Sequence, residues 1–139
     1  MAINLIIKIR KQRINKSKIK RLIKFLQNSL SIDKVSLSIV FCGDKFIRKL
    51  NNQYRGMDES TDVLSFESGE TEYLGDIIIS IPDVWKTVLR EKIPIEEEIL
   101  RLVIHGFLHL LGYEHKEKNS IMIKLQEELL SKFKQEEND

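Results

Sequence analysis

The most informative segment of the chain is IEEEILRLVIHGFLHLL, residues 95 to 111. Pro94 suits the start of a helix, and the three glutamates at positions 96–98 favour its positive N-terminal end. Because apolar residues occupy nearly every side of this helix, we expect it to be buried at the centre of the fold. Gly112 ends the helix, since glycine adopts the left-handed conformation that turns the chain back.

The rest of the chain alternates between strand and helix patterns. Alternating or continuous apolar runs predict four strands, in INLIIKIR, KVSLSIVF, DVLSF and GDIIISI. Apolar residues at helical spacing predict a helix that Ser17 caps and that runs to about Leu30, and further helices after Asp44, after Pro82 and from about Lys118 to Gln135. The polar segment from Tyr54 to Thr61 is predicted to be a loop. The order β-α-β-α-β-β-α-α-α predicts an α+β fold with a mixed, roughly four-stranded sheet and helices packed around the buried helix.

Composition favours a single soluble domain spanning residues 1–139, with 42% apolar and 32% charged residues. We find neither a signal peptide nor an apolar run approaching the ~18 residues of a membrane span. Cys42 is the sole cysteine, which excludes an intrachain disulfide and favours a reducing cytoplasm.

Charge is distributed unevenly along the chain. Residues 1 to 50 contain 13 Lys and Arg against two acidic residues, a net charge of +11, whereas residues 51 to 139 have a net charge of −9. A basic run without any acidic residue extends from Lys8 to Lys24. It is typical of a contact surface for a phosphate backbone, and equally of a solvated face in a lysine-rich protein.

All three histidines of the chain lie within HGFLHLLGYEH, residues 105 to 115. His105 and His109 are four residues apart, so both imidazoles point to the same side of a helix. The turn at Gly112 brings His115 back from outside the helix. The spacing H-x-x-x-H-x-x-G-x-x-H has the ligand positions of the metzincin motif and predicts a three-histidine zinc site with an open fourth position for water. Imidazole accepts nickel and cobalt as well.

Gly106 argues against a peptidase. In H-E-x-x-H metalloproteases the glutamate general base follows the first histidine, and here that position is a glycine. The helix therefore supplies ligands without a carboxylate to activate water. Residue spacing alone predicts a three-histidine metal hydrolase and does not give its substrate.

Three blocks of this sequence resemble the YbeY family of bacterial endoribonucleases: HGFLHLLGYEH, the upstream LNNQYRGMDESTDVLSF, and LGDIII. The resemblance implies a zincin-like fold and one zinc ion. It also implies cleavage of single-stranded RNA in 16S ribosomal RNA 3′-end maturation and ribosome quality control, with the small ribosomal subunit as partner. The zinc ligands carry over to His105, His109 and His115, and the functional arginine to Arg55. Glu114 stands where the family usually has aspartate, which leaves its role open.

The other candidate residues each have two interpretations. Arg55 would bind the scissile phosphate through its guanidinium, or be an ordinary surface arginine. Asp62 and Asp76 would orient a ligand or belong to turns, with the turn favoured for Asp62. For the whole protein, two alternatives to a ribonuclease are a metal hydrolase of another substrate and a non-catalytic ribosome-assembly factor stabilised by zinc.

Overall fold

The computed structural model describes residues 2–32, 36–114 and 121–139. Its elements follow the predicted order, and the prediction of a mixed α+β fold is confirmed. The strands are β1 (Ile3–Ile7), β2 (Ser36–Cys42), β3 (Val63–Glu67) and β4 (Tyr73–Ser80). The helices are α1 (Lys16–Ser29), α2 (Asp44–Arg55), α3 (Ile81–Glu91), α4 (Ile95–Leu110) and α5 (Ile121–Glu137).

The four strands form one mixed sheet in the order β1-β2-β4-β3. β1, β2 and β4 run parallel, and β3 pairs antiparallel with β4. Parallel neighbours need a long crossover connection, which α1 provides between β1 and β2. β3 stands at the end of the strand order and is therefore an edge strand of the sheet.

Two apolar cores lie on opposite faces of the sheet, as the period-2 alternation of strand side chains requires. Leu37, Ile39 and Phe41 of β2 join the larger core, which also contains residues of α1, α3, α4 and α5. Val40 and Cys42 point the other way, into a smaller core that includes Ile47 of α2. Helix α2 therefore covers one face, and the other four helices contribute to the core on the opposite face.

Helix α4 is deeply packed, with ten of its 16 residues buried. It contacts β3 and β4 of the sheet as well as the helices α1, α3 and α5. Within the ranges that the structure describes, no helix has the length and apolar character needed to cross a membrane.

Three details of the predicted elements were wrong. Helix α1 begins at Lys16 with Asn15 as its N-cap, because the Asn15 carboxamide oxygen accepts a hydrogen bond from the backbone N–H of Lys18 at 3.1 Å. Helix α2 continues to Arg55, so Arg55 is not in a loop. β4 starts at Tyr73, which puts Asp76 inside the strand. The predicted start of the last helix, Lys118, lies outside the described residues.

Candidate active site

An open cleft of about 760 Å³ lies along β3, the edge strand. The C-terminal end of α2 contributes Tyr54 and Arg55 to it, and the last two turns of α4 contribute His105 and His109. Its remaining lining residues are 61–67 and 112–114. The structure thus brings Arg55 and two of the three predicted metal ligands, which are about fifty positions apart in sequence, to one cleft.

His105 and His109 face each other across a short distance. Both are half-buried, and their Nε2 atoms are 3.1 Å apart. The rings lie edge to face, with centroids 4.6 Å apart. This arrangement follows from the four-residue spacing, which stacks both side chains on the same side of α4.

The Nδ1 atom of each imidazole contacts an oxygen that accepts a hydrogen bond. His105 Nδ1 is 2.7 Å from the side-chain oxygen of Gln126, and His109 Nδ1 is 2.9 Å from the backbone carbonyl of Tyr113. Each Nδ1 therefore carries the proton when the ring is neutral, and the lone pair of the neutral ring is then on Nε2. Both lone pairs point into the same space, which is the donor arrangement of a metal site.

The distance between the two Nε2 atoms fits a shared metal ion. Two nitrogens bound at ~2.0–2.1 Å to one tetrahedral zinc ion lie about 3.3 Å apart, close to the 3.1 Å found here. Within residues 2–32, 36–114 and 121–139, no set of three His, Cys, Asp or Glu side chains is arranged to hold a metal ion. The third predicted ligand, His115, lies outside those ranges.

The end of α4 forms a Schellman motif at Gly112. Gly112 has a φ of +98°, and its N–H donates to the carbonyl of His109 at 2.9 Å. The N–H of Tyr113 donates to the carbonyl of Leu108 at 3.0 Å. These two bonds define the motif and explain why a glycine follows the helix at this point. The same turn places the Tyr113 carbonyl next to the imidazole of His109.

Arg55 is the last residue of α2 and is exposed. Gly56 ends the helix with a φ of +69°. No ion pair or hydrogen bond to the Arg55 guanidinium is found among the residues that the structure describes, whereas Arg48 of the same helix is paired with Asp58 at 2.8 Å. The guanidinium of Arg55 is therefore available to an anion in the cleft.

Carboxylates outnumber cations in the cleft. Arg55 is the single Lys or Arg among its described lining residues, against Asp62, Glu67 and Glu114. Burial raises the pKa of the Asp62 carboxyl above its ordinary value. A residue predicted to belong to a turn thus lies in the cleft wall with a perturbed pKa, a combination that is frequent at functional sites. Glu114 is exposed and lines the same cleft.

Asp76 belongs to a different cluster. Its carboxylate accepts a hydrogen bond from the hydroxyl of Tyr73, which lies 2.7 Å from the hydroxyl of Ser38. Asp76 is not among the described residues that line the cleft. These contacts give Asp76 a role in the polar surface of β2 and β4.

Sequence reasoning missed Gln126, the residue that contacts His105. Gln126 is 6% exposed and belongs to the buried side of α5, together with Met122, Leu129 and Phe133. A glutamine at a core position of an amphipathic helix was the available signal, because a buried amide needs a hydrogen-bond partner. Its partner was not evident in the sequence, since it lies on another helix.

Comparison with known proteins gives the family. The family model described as endoribonuclease YbeY matches residues 4–134. The chain belongs to the endoribonuclease YbeY family. Its YbeY relatives include the endoribonuclease YbeY of Persephonella marina, 40% identical over 87% of this chain and 85% of that protein. The endoribonuclease YbeY of Treponema denticola is 38% identical over 87% of this chain and 85% of that protein.

A solved structure resembles this YbeY-family chain over nearly its whole length. The solution structure of TM1509 from Thermotoga maritima matches with a TM-score of 0.69 and 29% identity, and the match covers 98% of this chain and 91% of that one. The family model over residues 4–134 and the relatives described above confirm the sequence resemblance to the YbeY family, which was based on three short blocks.

Proposed function

We propose that this chain is a zinc-dependent endoribonuclease that cleaves single-stranded RNA in 16S ribosomal RNA 3′-end maturation and ribosome quality control. The proposal depends chiefly on one observation: Arg55 and the facing Nε2 atoms of His105 and His109 line one cleft. The family description, endoribonuclease YbeY, supports the choice of RNA as substrate. The small ribosomal subunit in the cytoplasm is the proposed setting.

The metal would be held by His105, His109 and His115 in a zincin-like arrangement within a single domain of residues 1–139. A zinc ion with three imidazole ligands supplies Lewis acidity and lowers the pKa of water to ~7 when bound. Our support is the Nε2 separation of 3.1 Å and the hydrogen bonds that direct both Nδ1 protons away from the cleft. His115 joins them on the basis of motif spacing.

Arg55 would bind the scissile phosphate. Its guanidinium presents parallel N–H donors, so it contacts two phosphoryl oxygens at once and stabilises the negative charge that develops on them. Arg55 lines the same cleft as His105 and His109, so a phosphate bound by its guanidinium would lie in the cleft that the three residues share. Imidazoles whose Nε2 lone pairs are used to bind the metal ion would not act as general bases, and Gly106 has no side chain to do so. The carboxylate of Asp62 is a candidate for accepting a proton from water.

The basic run from Lys8 to Lys24 would hold the RNA beyond the cleft. Two members are paired with acidic residues, Lys18 with Glu96 at 2.7 Å and Arg21 with Glu137 at 2.7 Å. The other members are exposed. Exposed lysines and arginines contribute affinity for phosphates that falls with added salt.

The test is cleavage of a single-stranded ribosomal RNA fragment by the purified chain, first chelated and then restored with zinc. Under the proposal, cleavage requires the metal and is lost in the His109→Ala variant. Zinc bound stoichiometrically without cleavage of RNA, alone or with ribosomal subunits, would favour the non-catalytic assembly factor. Cleavage of unstructured casein would instead favour a hydrolase of another substrate.

A further inference from the structure

Gln126 of α5 links the candidate metal site to a second helix. Its side-chain oxygen is 2.7 Å from Nδ1 of His105, although the two residues are 21 positions apart. Gln126 is buried on a helix side that is otherwise apolar. Burying an amide costs free energy unless its polar atoms are hydrogen-bonded, so the contact with His105 is part of what makes glutamine tolerable here.

The orientation of the Gln126 amide is fixed by a further hydrogen bond. Its NH₂ group donates to the carboxylate of Glu127 at 3.0 Å, which leaves the amide oxygen for the imidazole. The Glu127 carboxylate is held in turn by Nε of Arg101, at 2.9 Å. Arg101 is on α4, one turn before His105. The chain of contacts thus starts and ends on α4 and passes through α5.

This closed chain determines which nitrogen of His105 faces the cleft. An amide oxygen accepts but does not donate, so a neutral His105 must carry its proton on Nδ1. Its Nε2 then presents a lone pair toward Nε2 of His109. If the amide were reversed, the NH₂ group would face Nδ1 and favour the proton on Nε2, which would block metal binding. The bond from Gln126 to Glu127 prevents that reversal.

We propose that Gln126 is a positioning residue for His105, holding the imidazole in the tautomer and ring orientation that bind a metal ion. The inference rests on the proposed metal site. Hydrogen bonds to the far nitrogen of a ligating histidine typically change metal affinity by ~10–100-fold. Gln126 acts through His105 and does not line the cleft itself.

The test compares three variants with the unmodified chain. Gln126→Met keeps the length of the side chain and removes the acceptor, whereas Gln126→Glu keeps an acceptor beside His105. Gln27→Met is the matched control, because Gln27 is a second glutamine with low exposure, 4%, and lies on α1 away from the cleft. Zinc affinity is measured by competition with a chromophoric chelator. The tautomer of His105 is read from imidazole nitrogen chemical shifts of the metal-free protein.

We expect Gln126→Met to weaken zinc binding by ~10–100-fold and to abolish the preference for the Nδ1–H tautomer. Gln126→Glu should restore most of the affinity, and Gln27→Met should leave both measurements unchanged. Wild-type zinc affinity in Gln126→Met would overturn the proposal, as would an equal loss in the two methionine variants. If the unmodified chain binds no zinc, the metal site itself fails. The tautomer comparison still decides the role of Gln126, because it needs no metal.

Discussion

Gly106 of α4 lies against Ile77 of β4 so closely that a Cβ atom at position 106 would stand 2.6 Å from Ile77 Cγ2. Ile77 is fully buried and branched at Cβ, so it has no free space into which it can withdraw. Helix α4 therefore approaches the sheet at a point where only glycine fits. This contact explains in physical terms why the residue after His105 is not a glutamate.

Gly106→Ala should destabilise the protein by about 2–3 kcal/mol, because the added methyl group overpacks a closed contact. Alanine has a higher helix propensity than glycine, by ~1 kcal/mol, and this gain offsets part of the cost of overpacking. Chemical denaturation measures the loss in the free energy of unfolding. A shift of α4 away from the sheet would also lower zinc affinity, since His105 is the neighbouring residue.

Gly43→Ala is the control for this substitution. Gly43 has a φ of −87°, and a Cβ atom there would meet nothing within 4 Å. Gly43→Ala should lower the free energy of unfolding by less than about 1 kcal/mol, because alanine is less favoured than glycine at an N-cap. Equal losses in the two alanine variants would show that the contact with Ile77 is not tight in solution.

Arg55→Ala should reduce RNA cleavage by about 10²–10³-fold while leaving zinc content unchanged, because the guanidinium contacts the phosphate and not the metal. Arg55→Lys keeps the charge but loses the paired N–H donors, so its activity should lie between that of the unmodified chain and that of Arg55→Ala. Single-turnover cleavage and zinc analysis of the same preparation give both quantities.

Arg48→Ala is the matched arginine variant on α2. Arg48 is exposed and paired with Asp58. An exposed ion pair contributes little to stability, and its loss should change cleavage by no more than about twofold. Full activity of Arg55→Ala would remove Arg55 from the mechanism.

The sequence was sufficient for the elements and for the histidine pair, because both depend on local periodicity. Apolar spacing located α4, and a separation of four residues placed His105 and His109 on one side of it. The end of α4 was equally local, since Gly112 supplies the positive φ that its Schellman motif requires.

The parts that the sequence did not give depend on contacts between elements. The hydrogen bond from His105 to Gln126 exists because α5 packs on α4, and no spacing within α5 reveals that partner. Arg55 was predicted in a loop because polar residues dominate the end of α2, whose buried residues are only Ile47 and Asn51. Helix propensity and apolar spacing locate the end of a helix poorly when so few of its residues are buried.

Replacing Lys16, Lys20 and Lys24 by glutamine should weaken RNA binding and make it less sensitive to salt. These three lysines recur every fourth residue along α1 and are exposed. For single-stranded nucleic acid each phosphate contact contributes about 0.7 to the slope of log affinity against log salt concentration. The slope should thus fall by about 2 if all three contact phosphates.

The matched variant replaces Lys92, Lys124 and Lys132 by glutamine; these lysines are also exposed and lie outside α1. It removes the same charge, so it separates a local phosphate contact from an effect of net charge. An equal decrease in slope in both triple variants would assign the salt dependence to net charge and leave the basic run as a solvated face.

Asp62→Asn should make the protein more stable near neutral pH, since burial raises the pKa of the Asp62 carboxyl in the folded state. Between the ordinary value of 3.8 and the raised pKa, the folded state binds more protons than the unfolded state. The free energy of unfolding therefore falls as the pH rises through that window. Asparagine cannot ionise, so the advantage of the variant should grow across the window and then level off.

Asp58→Asn provides a control with the opposite sign. The hydrogen bond and charge of Arg48 lower the pKa of the Asp58 carboxyl, so its stabilisation is present above 3.8 and is lost as the pH falls through the lowered pKa. Asp58→Asn should thus be less stable than the unmodified chain at neutral pH, by the small amount that an exposed ion pair contributes, and the difference should vanish in acid. Urea denaturation at a series of pH values measures both differences. If Asp62→Asn, like Asp58→Asn, lowers the free energy of unfolding at neutral pH, the carboxyl of Asp62 is not desolvated in the cleft wall.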